Sequence, residues 1–342
     1  MTMTAKAALQ KLIDHVDLTH GEMLDVMGQI MRGEFTPAQT AGLLMGLRVK
    51  GETVDEIAAA AQVMRELAAK VHVADDAYLI DTCGTGGAIN KAFNVSTSSA
   101  FVAAGAGARI AKHGNRAASS KTGSADVLEA LGVNINLMPD QVAQCVNDIG
   151  IGFMFAPNHH SAMKHAAPIR RELGVRTLFN LLGPLTNPAG AKRQVMGVFH
   201  KDLVSLLAHT LQRLGSVHVM VVHSADGMDE ISFSGDTYVA ELKDGAVTEY
   251  TINPQQFGMP LHSVDSIHVE NAEESRREIT AVLNGEKGPA RDIVLLNAGA
   301  AIYVAGLVAN MQDGIRLAAE VIDSGAAKNK LQQLTALSQQ MA

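Results

Sequence analysis

Tryptophan is missing from the 342 residues, and tyrosine and phenylalanine number only four and nine. With 47% hydrophobic residues and 16 methionines, cores must be filled by aliphatic side chains and by methionine, whose flexible thioether fits irregular gaps. Cysteine is as scarce. Cys83 and Cys145 make neither a disulfide framework nor a Cys-x-x-Cys pair for zinc or redox work. Cys83 borders a glycine loop, where it reads as a small packing residue. No apolar stretch is both long and unbroken enough to span a bilayer; residues 293–308 come closest, but their alanines, glycine and Asn297 suit a close-packed buried helix. The first residues, with Lys6 and Lys11, lack a signal peptide's apolar core, so the cytosol is the expected compartment. Positive charge is in deficit too. At a net charge of -7 most of the surface repels phosphate-rich polymers, so the basic residues are expected to serve one local site and not a nucleic-acid track.

The length suggests about two domains. Thr19-x-x-Glu22 and Thr53-x-x-Glu56 are capping boxes, and Thr36-Pro37 is a cap followed by proline at the first helical position. Leu24, Met27, Ile30 and Met31, then Leu43, Leu44 and Leu47, then Ile57, Ala61, Met64 and Leu67 recur at helical spacing. With a first helix over residues 5–16, this predicts a small helical N-terminal domain over 1–72. Its apolar stripes either pack only on their own chain or also serve a partner subunit, and periodicity favours neither.

From Val71 onward strands alternate with helices: residues 151–155, 195–199 and 217–222 are apolar runs, separated by helical patterns such as 202–214. Residues 238–242 and 247–252 flank Lys243-Asp244-Gly245 and predict an antiparallel hairpin at a sheet edge. The tail from Ala272 reads as helices covering a face of the sheet. The expected fold is therefore α/β, with a mostly parallel central sheet flanked by helices over 73–342.

The run 81–116 carries the chemistry. Tyr78-Leu79-Ile80 ends a buried strand, and Gly84-Thr85-Gly86-Gly87 follows as a turn where backbone N–H groups can meet an anion closely. Asn94, Ser96 and Thr97 precede an apolar run and so fall at the start of a helix, whose unpaired N–H groups favour negative charge. Residues 108–111 read as a neighbouring parallel strand delivering Lys112, Asn115 and Arg116 to the same carboxyl edge, where ligands bind in open α/β sheets. His113 is flanked by glycine, and its role stays open between shaping the loop and touching a ligand.

These motifs, with Phe93-Asn94-Val95-Ser96-Thr97, Lys112-His113-Gly114-Asn115-Arg116, Ser119, Ser120 and Ser124, resemble the anthranilate phosphoribosyltransferase family of tryptophan biosynthesis. The resemblance continues through Pro168-Ile169-Arg170-Arg171-Glu172-Leu173-Gly174, the run 176–188 and Gly227-Met228-Asp229-Glu230, essentially the whole chain. It implies that the anthranilate amine displaces pyrophosphate from C1 of phosphoribosyl pyrophosphate. It places Gly84, Thr85, Gly86, Gly87, Ala88, Asn94, Ser96, Thr97, Lys112, His113, Gly114, Asn115, Arg116, Ser119, Ser120 and Ser124 around that substrate. Gly84, Asn115, His160, Arg170 and Gly183 fall around anthranilate, with Lys112, Asn115 and Arg170 as the catalytic set. The resemblance also implies a homodimer through the helical domain, to which 168–188 returns, and a substrate cleft between domains.

Breaking the C1 bond leaves positive charge on the ribose and negative charge on pyrophosphate, so the reaction needs anion stabilisation and placement more than a strong base. Two carboxylates about 4 Å apart repel by roughly 4 kcal/mol at an effective dielectric of 20, which a divalent cation relieves and solvation can also relieve. From sequence alone the pair Asp229-Glu230 leaves both open; the resemblance implies Mg2+ held there with Ser96. A pyrimidine-nucleoside phosphorylase-like enzyme and a noncatalytic nucleic-acid-binding relative are the alternatives. The first lacks its lysine-serine-threonine-glycine loop here, and the second is disfavoured by Lys112, Asn115, Arg170, Asp229-Glu230 and the negative charge.

Two positions depart from the family pattern: Ala88 stands where aspartate usually completes the glycine loop, and Ala92 where a hydroxyl is common. A carboxylate that a second magnesium position would use is thereby removed from the loop. We predict that Ala88→Asp changes the magnesium dependence of turnover, as a magnesium titration against the parent checks; superimposable profiles would contradict it.

Overall fold

The computed structural model describes residues 2–87, 92–117 and 122–341. The chain opens with α1 (Ala5–Ile13), α2 (His20–Arg32), α3 (Pro37–Lys50) and α4 (Val54–Leu67). Thr19 with Glu22, and Thr53 with Glu56, close reciprocal capping boxes. Gln39 completes a third with Thr36, beyond the cap and proline read from sequence. Helix α1 stops at Ile13, short of the expected Val16, because His15 takes a positive φ of 54°. Met23, Met27, Ile30, Leu43, Leu44, Leu47 and Ile57 are buried in one apolar core, each worth about 1.5–3 kcal/mol relative to exposure. Inside it lies a charge: Glu56 is fully buried, accepting from Leu18 N (2.9 Å) and Thr53 N (2.9 Å) and pairing with Lys50 (2.9 Å).

The chain then alternates through β1 (Leu79–Asp81), α5 (Val95–Gly105), β2 (Arg109–Gly114), α6 (Ser124–Ala130), α7 (Pro139–Ile149) and β3 (Ile151–Phe155). Short helices follow, α8 (Ala156–His159), α9 (Ala167–Leu173) and α10 (Phe179–Leu182), before β4 (Arg193–Gly197), α11 (Leu203–Arg213) and β5 (His218–Ser224). The hairpin β6 (Thr237–Lys243) and β7 (Ala246–Ile252) precedes α12 (Ala272–Leu283), α13 (Pro289–Ala305), α14 (Met311–Asp323) and α15 (Ala326–Gln340).

The seven strands form one sheet in the order β3-β2-β1-β4-β5-β6-β7, parallel from β3 to β5 and antiparallel beyond. Asp244 and Gly245 both take positive φ (51° and 79°), as a two-residue hairpin turn requires. Strand β4 runs two residues earlier than the expected 195–199, since beyond Gly197 the chain turns towards the glycine loop, whose Thr85 N donates to Gly197 O at 2.9 Å. Side chains alternate between two cores. Val219 and Val221 join that of the N-terminal helices and α11, whereas Met220 and Val222 join that of α5, α7 and α12–α15. Leu178, Phe179, Leu181, Leu182 and Leu185 also pack in the first of these cores. Among the described residues no helix is long and apolar enough to cross a membrane.

At the amino edge of β5, Glu241 accepts hydrogen bonds from His218 (2.8 Å), Tyr250 (2.7 Å) and Tyr303 (2.7 Å), tying β5, β6, β7 and α13 together. Burial works to raise its pKa, but these three bonds outweigh burial and bring it from 4.5 to about 2. A depressed carboxyl stabilises the fold above its unfolded pKa and loses that contribution as pH falls through the folded value. We predict that the parent loses stability from about pH 4.5 down to 2 more steeply than Glu241→Gln. Urea unfolding across that range checks this, and parallel profiles would contradict it.

Candidate active site

Five parallel strands deliver their carboxyl ends to one edge of the sheet. From β1, Asp81 is buried, with its Oδ1 accepting from His113 N (3.2 Å) and its Oδ2 from Asn187 Nδ2 (2.7 Å). Burial raises its pKa to about 6, against the nearby Lys112 charge and the Asn187 hydrogen bond. Lys112, on β2, is 4% exposed and donates to Thr82 O (2.7 Å), Thr82 Oγ1 (3.2 Å) and Ser96 Oγ (3.4 Å). A cation so buried stays only where oxygens surround it.

The glycine loop is held on three sides. Thr85 Oγ1 accepts from Phe199 N (3.2 Å), the Gly86 N–H lies near enough to the Asp229 carboxylate to favour its charge, and Gly87 O accepts from Arg176 Nη2 (2.7 Å). Gly86 and Gly87 take positive φ (65° and 82°), the conformation that aims successive N–H groups outward. At its start, a Cβ on Gly84 would approach Gly197 O to 2.9 Å.

Asp229 and Glu230 lie in the loop after β5. That loop is shaped by Asp226, which accepts from Ser224 Oγ (2.7 Å), Ser232 Oγ (2.5 Å), Ser234 Oγ and Met228 N (3.0 Å). Burial raises the pKa of both acids; burial and then the Asp229 charge push Glu230 up to about 8, although Lys112 opposes this. Ser96 N, in the first turn of α5, donates to Glu230 Oε1 (3.2 Å), so a carboxylate already faces the helix end expected to meet phosphate. Among the described residues no three or more His, Cys, Asp or Glu side chains converge as a metal cage. Two crowded, half-buried carboxylates beside a hydroxyl suit magnesium, which takes few protein ligands and completes its shell with water and substrate phosphates.

A second group gathers around α8–α10. His113 Nδ1 is 3.1 Å from Gly183 O, and its ring lies 5.1 Å from that of His160. Burial lowers His113 to about 3 and His160 to about 4, keeping both neutral, and the Nε2 atoms of both are buried without a partner among the described residues. Arg170, on α9, is half-buried, stands 5.2 Å over the Phe179 ring, and has no acidic partner among the described residues. Burial lowers its pKa.

Other expected residues are placed differently. Thr97 is 1% exposed and lines a small interior cavity with Phe101, Leu128 and Phe153, with its Oγ1 unpaired, because the helical turn that presents Ser96 to the cleft rotates Thr97 inward. Arg116 is engaged by Asp126 (3.1 Å) and Glu129 (2.5 Å), two acids that the sequence pattern did not connect with it. Asn94 binds Thr122 and Ser275. Asn115 is exposed, and its Oδ1 accepts from Arg116 N. Gly114 packs against Ser124, where a Cβ would come within 2.2 Å of Oγ. Ala88, Ser119 and Ser120 lie outside the described residues. Sequence reasoning missed Asp81, Thr82, Asn187 and Arg176; all four fall in runs already marked, and among them Arg176 carried the plainest signal, as a basic residue.

A helical bundle joined to an α/β unit, with cations and a half-buried acidic pair at one sheet edge, is the architecture of a sugar-transferring class. The α/β domain of the glycosyl transferase family matches residues 76–328, and that family's helical bundle domain matches residues 6–68. An anthranilate phosphoribosyltransferase from Methylobacillus flagellatus is 77% identical over 339 residues, 99% of each chain. The crystal structure of the anthranilate phosphoribosyltransferase from Thermus thermophilus is 43% identical and superimposes with a TM-score of 0.92, covering 97% of this chain and 99% of that one. The Saccharomyces cerevisiae enzyme in complex with PRPP and Mg is 27% identical, with a TM-score of 0.89 and 98% of each chain covered. The chain belongs to the anthranilate phosphoribosyltransferase family.

The end of β4 touches the acidic loop backbone to backbone: a Cβ on Gly197 would lie 1.6 Å from Asp229 O. We predict that Gly197→Ala forces the two apart, costs about 1–3 kcal/mol of stability and weakens Mg2+ binding. Chemical denaturation and calorimetry check both, and parental values would contradict the assignment.

Proposed function

We infer that the protein transfers the 5-phosphoribosyl group from phosphoribosyl pyrophosphate to the amine of anthranilate. The products are N-(5-phosphoribosyl)anthranilate and pyrophosphate, the second step of tryptophan synthesis from chorismate. One observation carries this reading: the glycine loop, Lys112 and the Asp229-Glu230 pair meet at a single sheet edge, so the fitting ligand brings both anionic oxygens and a cation. The relatives' names agree, and solved relatives are described in complex with PRPP and Mg and with 4-fluoroanthranilate.

In this reading Gly84, Thr85, Gly86, Gly87, Lys112 and Ser96 surround the diphosphate. Lys112 sits in low dielectric, where its charge acts more strongly on a departing anion than it would in water. Asp229, Glu230 and the Ser96 hydroxyl hold Mg2+, which when bound neutralises charge on the leaving pyrophosphate. The arylamine is already uncharged at neutral pH, so the protein has to align and desolvate it. Arg170, lacking an internal carboxylate, takes that of anthranilate through paired hydrogen bonds. The neutral rings of His113 and His160 and the Gly183 backbone form the wall beside it, and Asn115 stands at the junction with the sugar.

The chain is read as a helical domain over 1–72 to which 168–188 returns, and an α/β domain over 73–342. The shared core of α1–α4 with Phe179 and Leu182 supports this division. We place the enzyme in the cytoplasm as a homodimer through the helical domain, where Ile13, Val16 and Val49 are 68%, 47% and 71% exposed.

Incubation with Mg2+, phosphoribosyl pyrophosphate and anthranilate is expected to consume anthranilate fluorescence; undiminished signal would reject the function. Arg170→Ala removes a charge-assisted contact of about 1.5–3 kcal/mol. It is expected to raise the KM for anthranilate roughly tenfold to a hundredfold with little change for the diphosphate. Equal anthranilate KM values would refute the assignment.

A further inference from the structure

We propose that Arg176 is a positioning residue: it ties the segment bearing Arg170 to the glycine loop, setting the loop for the diphosphate before that substrate arrives. Its Nη2 donates to Gly87 O at 2.7 Å, and its guanidinium carbon lies 3.9 Å from the centroid of the Phe199 ring. Phe199 in turn donates its N–H to Thr85 Oγ1 (3.2 Å). One guanidinium thus spans both ends of the loop, through a carbonyl at Gly87 and a ring joined to Thr85.

The residue is presented from a firm base. Gly174 ends α9 in the left-handed conformation, donating to Arg170 O (3.2 Å), and Thr177 N donates to Asn180 Oδ1 (2.9 Å) at the start of α10. Only two residues separate these anchors, so the Arg176 backbone has little freedom. Yet the residue itself is exposed, and a free arginine there would keep up to about 2 kcal/mol of rotamer entropy. Among the described residues it has no salt bridge; its ordering comes from the loop carbonyl and the Phe199 face, where a planar guanidinium can donate and stack together. Glycines at 86 and 87 give the loop the positive φ it needs but leave its unbound state broad. Restraining it beforehand reduces the ordering cost of binding.

This inference rests on the phosphoribosyl reading, and direct binding separates the two. Isothermal titration of phosphoribosyl pyrophosphate in the presence of Mg2+ is compared for the parent, Arg176→Gln, Arg176→Lys and Phe199→Leu, alongside melting temperatures and anthranilate KM values. The clasp predicts roughly tenfold weaker diphosphate binding in Arg176→Gln, a smaller loss in Phe199→Leu, and partial recovery in Arg176→Lys, with melting temperature and anthranilate KM unchanged. Parental affinity in Arg176→Gln overturns it, as does a fall in melting temperature with equal losses for both substrates. A parent that binds the diphosphate without transferring it to anthranilate rejects the transferase reading alone, and a parent that binds none rejects both.

Discussion

Parallel pairing of β1 with both β2 and β4 is the constraint from which the site follows. A three-residue strand buried between two parallel neighbours must release its chain at the same edge as they do. The glycine loop, Lys112 to Arg116, the Gly197 to Phe199 turn and the acidic loop after β5 therefore converge at one sheet edge. Parallel strands need long crossovers, so groups as distant as Ser96 and Glu230, 134 positions apart, come within hydrogen-bonding distance.

Convergence buries charge, and burial sets the electrostatics. Asp81 and Lys112 lie within the same water-poor edge, where burial still raises Asp81 to about 6. Asp229 and Glu230 are worse placed as an isolated pair, since each raises the cost of the other's charge and Glu230 reaches about 8. Such an arrangement is poor for stability alone, because uncompensated buried charge destabilises a fold. It suits a site completed by a cation and an anionic substrate, which supply the missing partners together. The neutral rings of His113 and His160, each with a buried Nε2 that lacks a partner among the described residues, show the same character.

Much of the fold was legible because its signals are local. The Thr-x-x-Glu boxes act across one helical turn, the Asp244-Gly245 turn is set by two φ angles, and β3 follows an apolar run between Gly150 and Pro157. The position of Ser96 in a helix's first turn was readable for the same reason. Less legible was the rotation that buries its neighbour Thr97, which depends on what packs behind α5. Arg116 looked free for phosphate because Asp126 and Glu129 are ten and thirteen residues away, across a loop whose path the sequence does not specify. The Asp81–Asn187 and Arg176–Gly87 bonds span 106 and 89 positions. No periodicity reports such pairs.

What the sequence determined by itself was the succession of elements, the turn that exposes backbone N–H groups and the chemical types gathered near each strand end, since propensity, capping and glycine φ act over a few residues. Only the tertiary structure decided which of those groups face one another, which lose their water and which cations are already claimed by nearby acids. Those outcomes depend on distances and dielectric surroundings that exist only after the sheet has brought remote segments together.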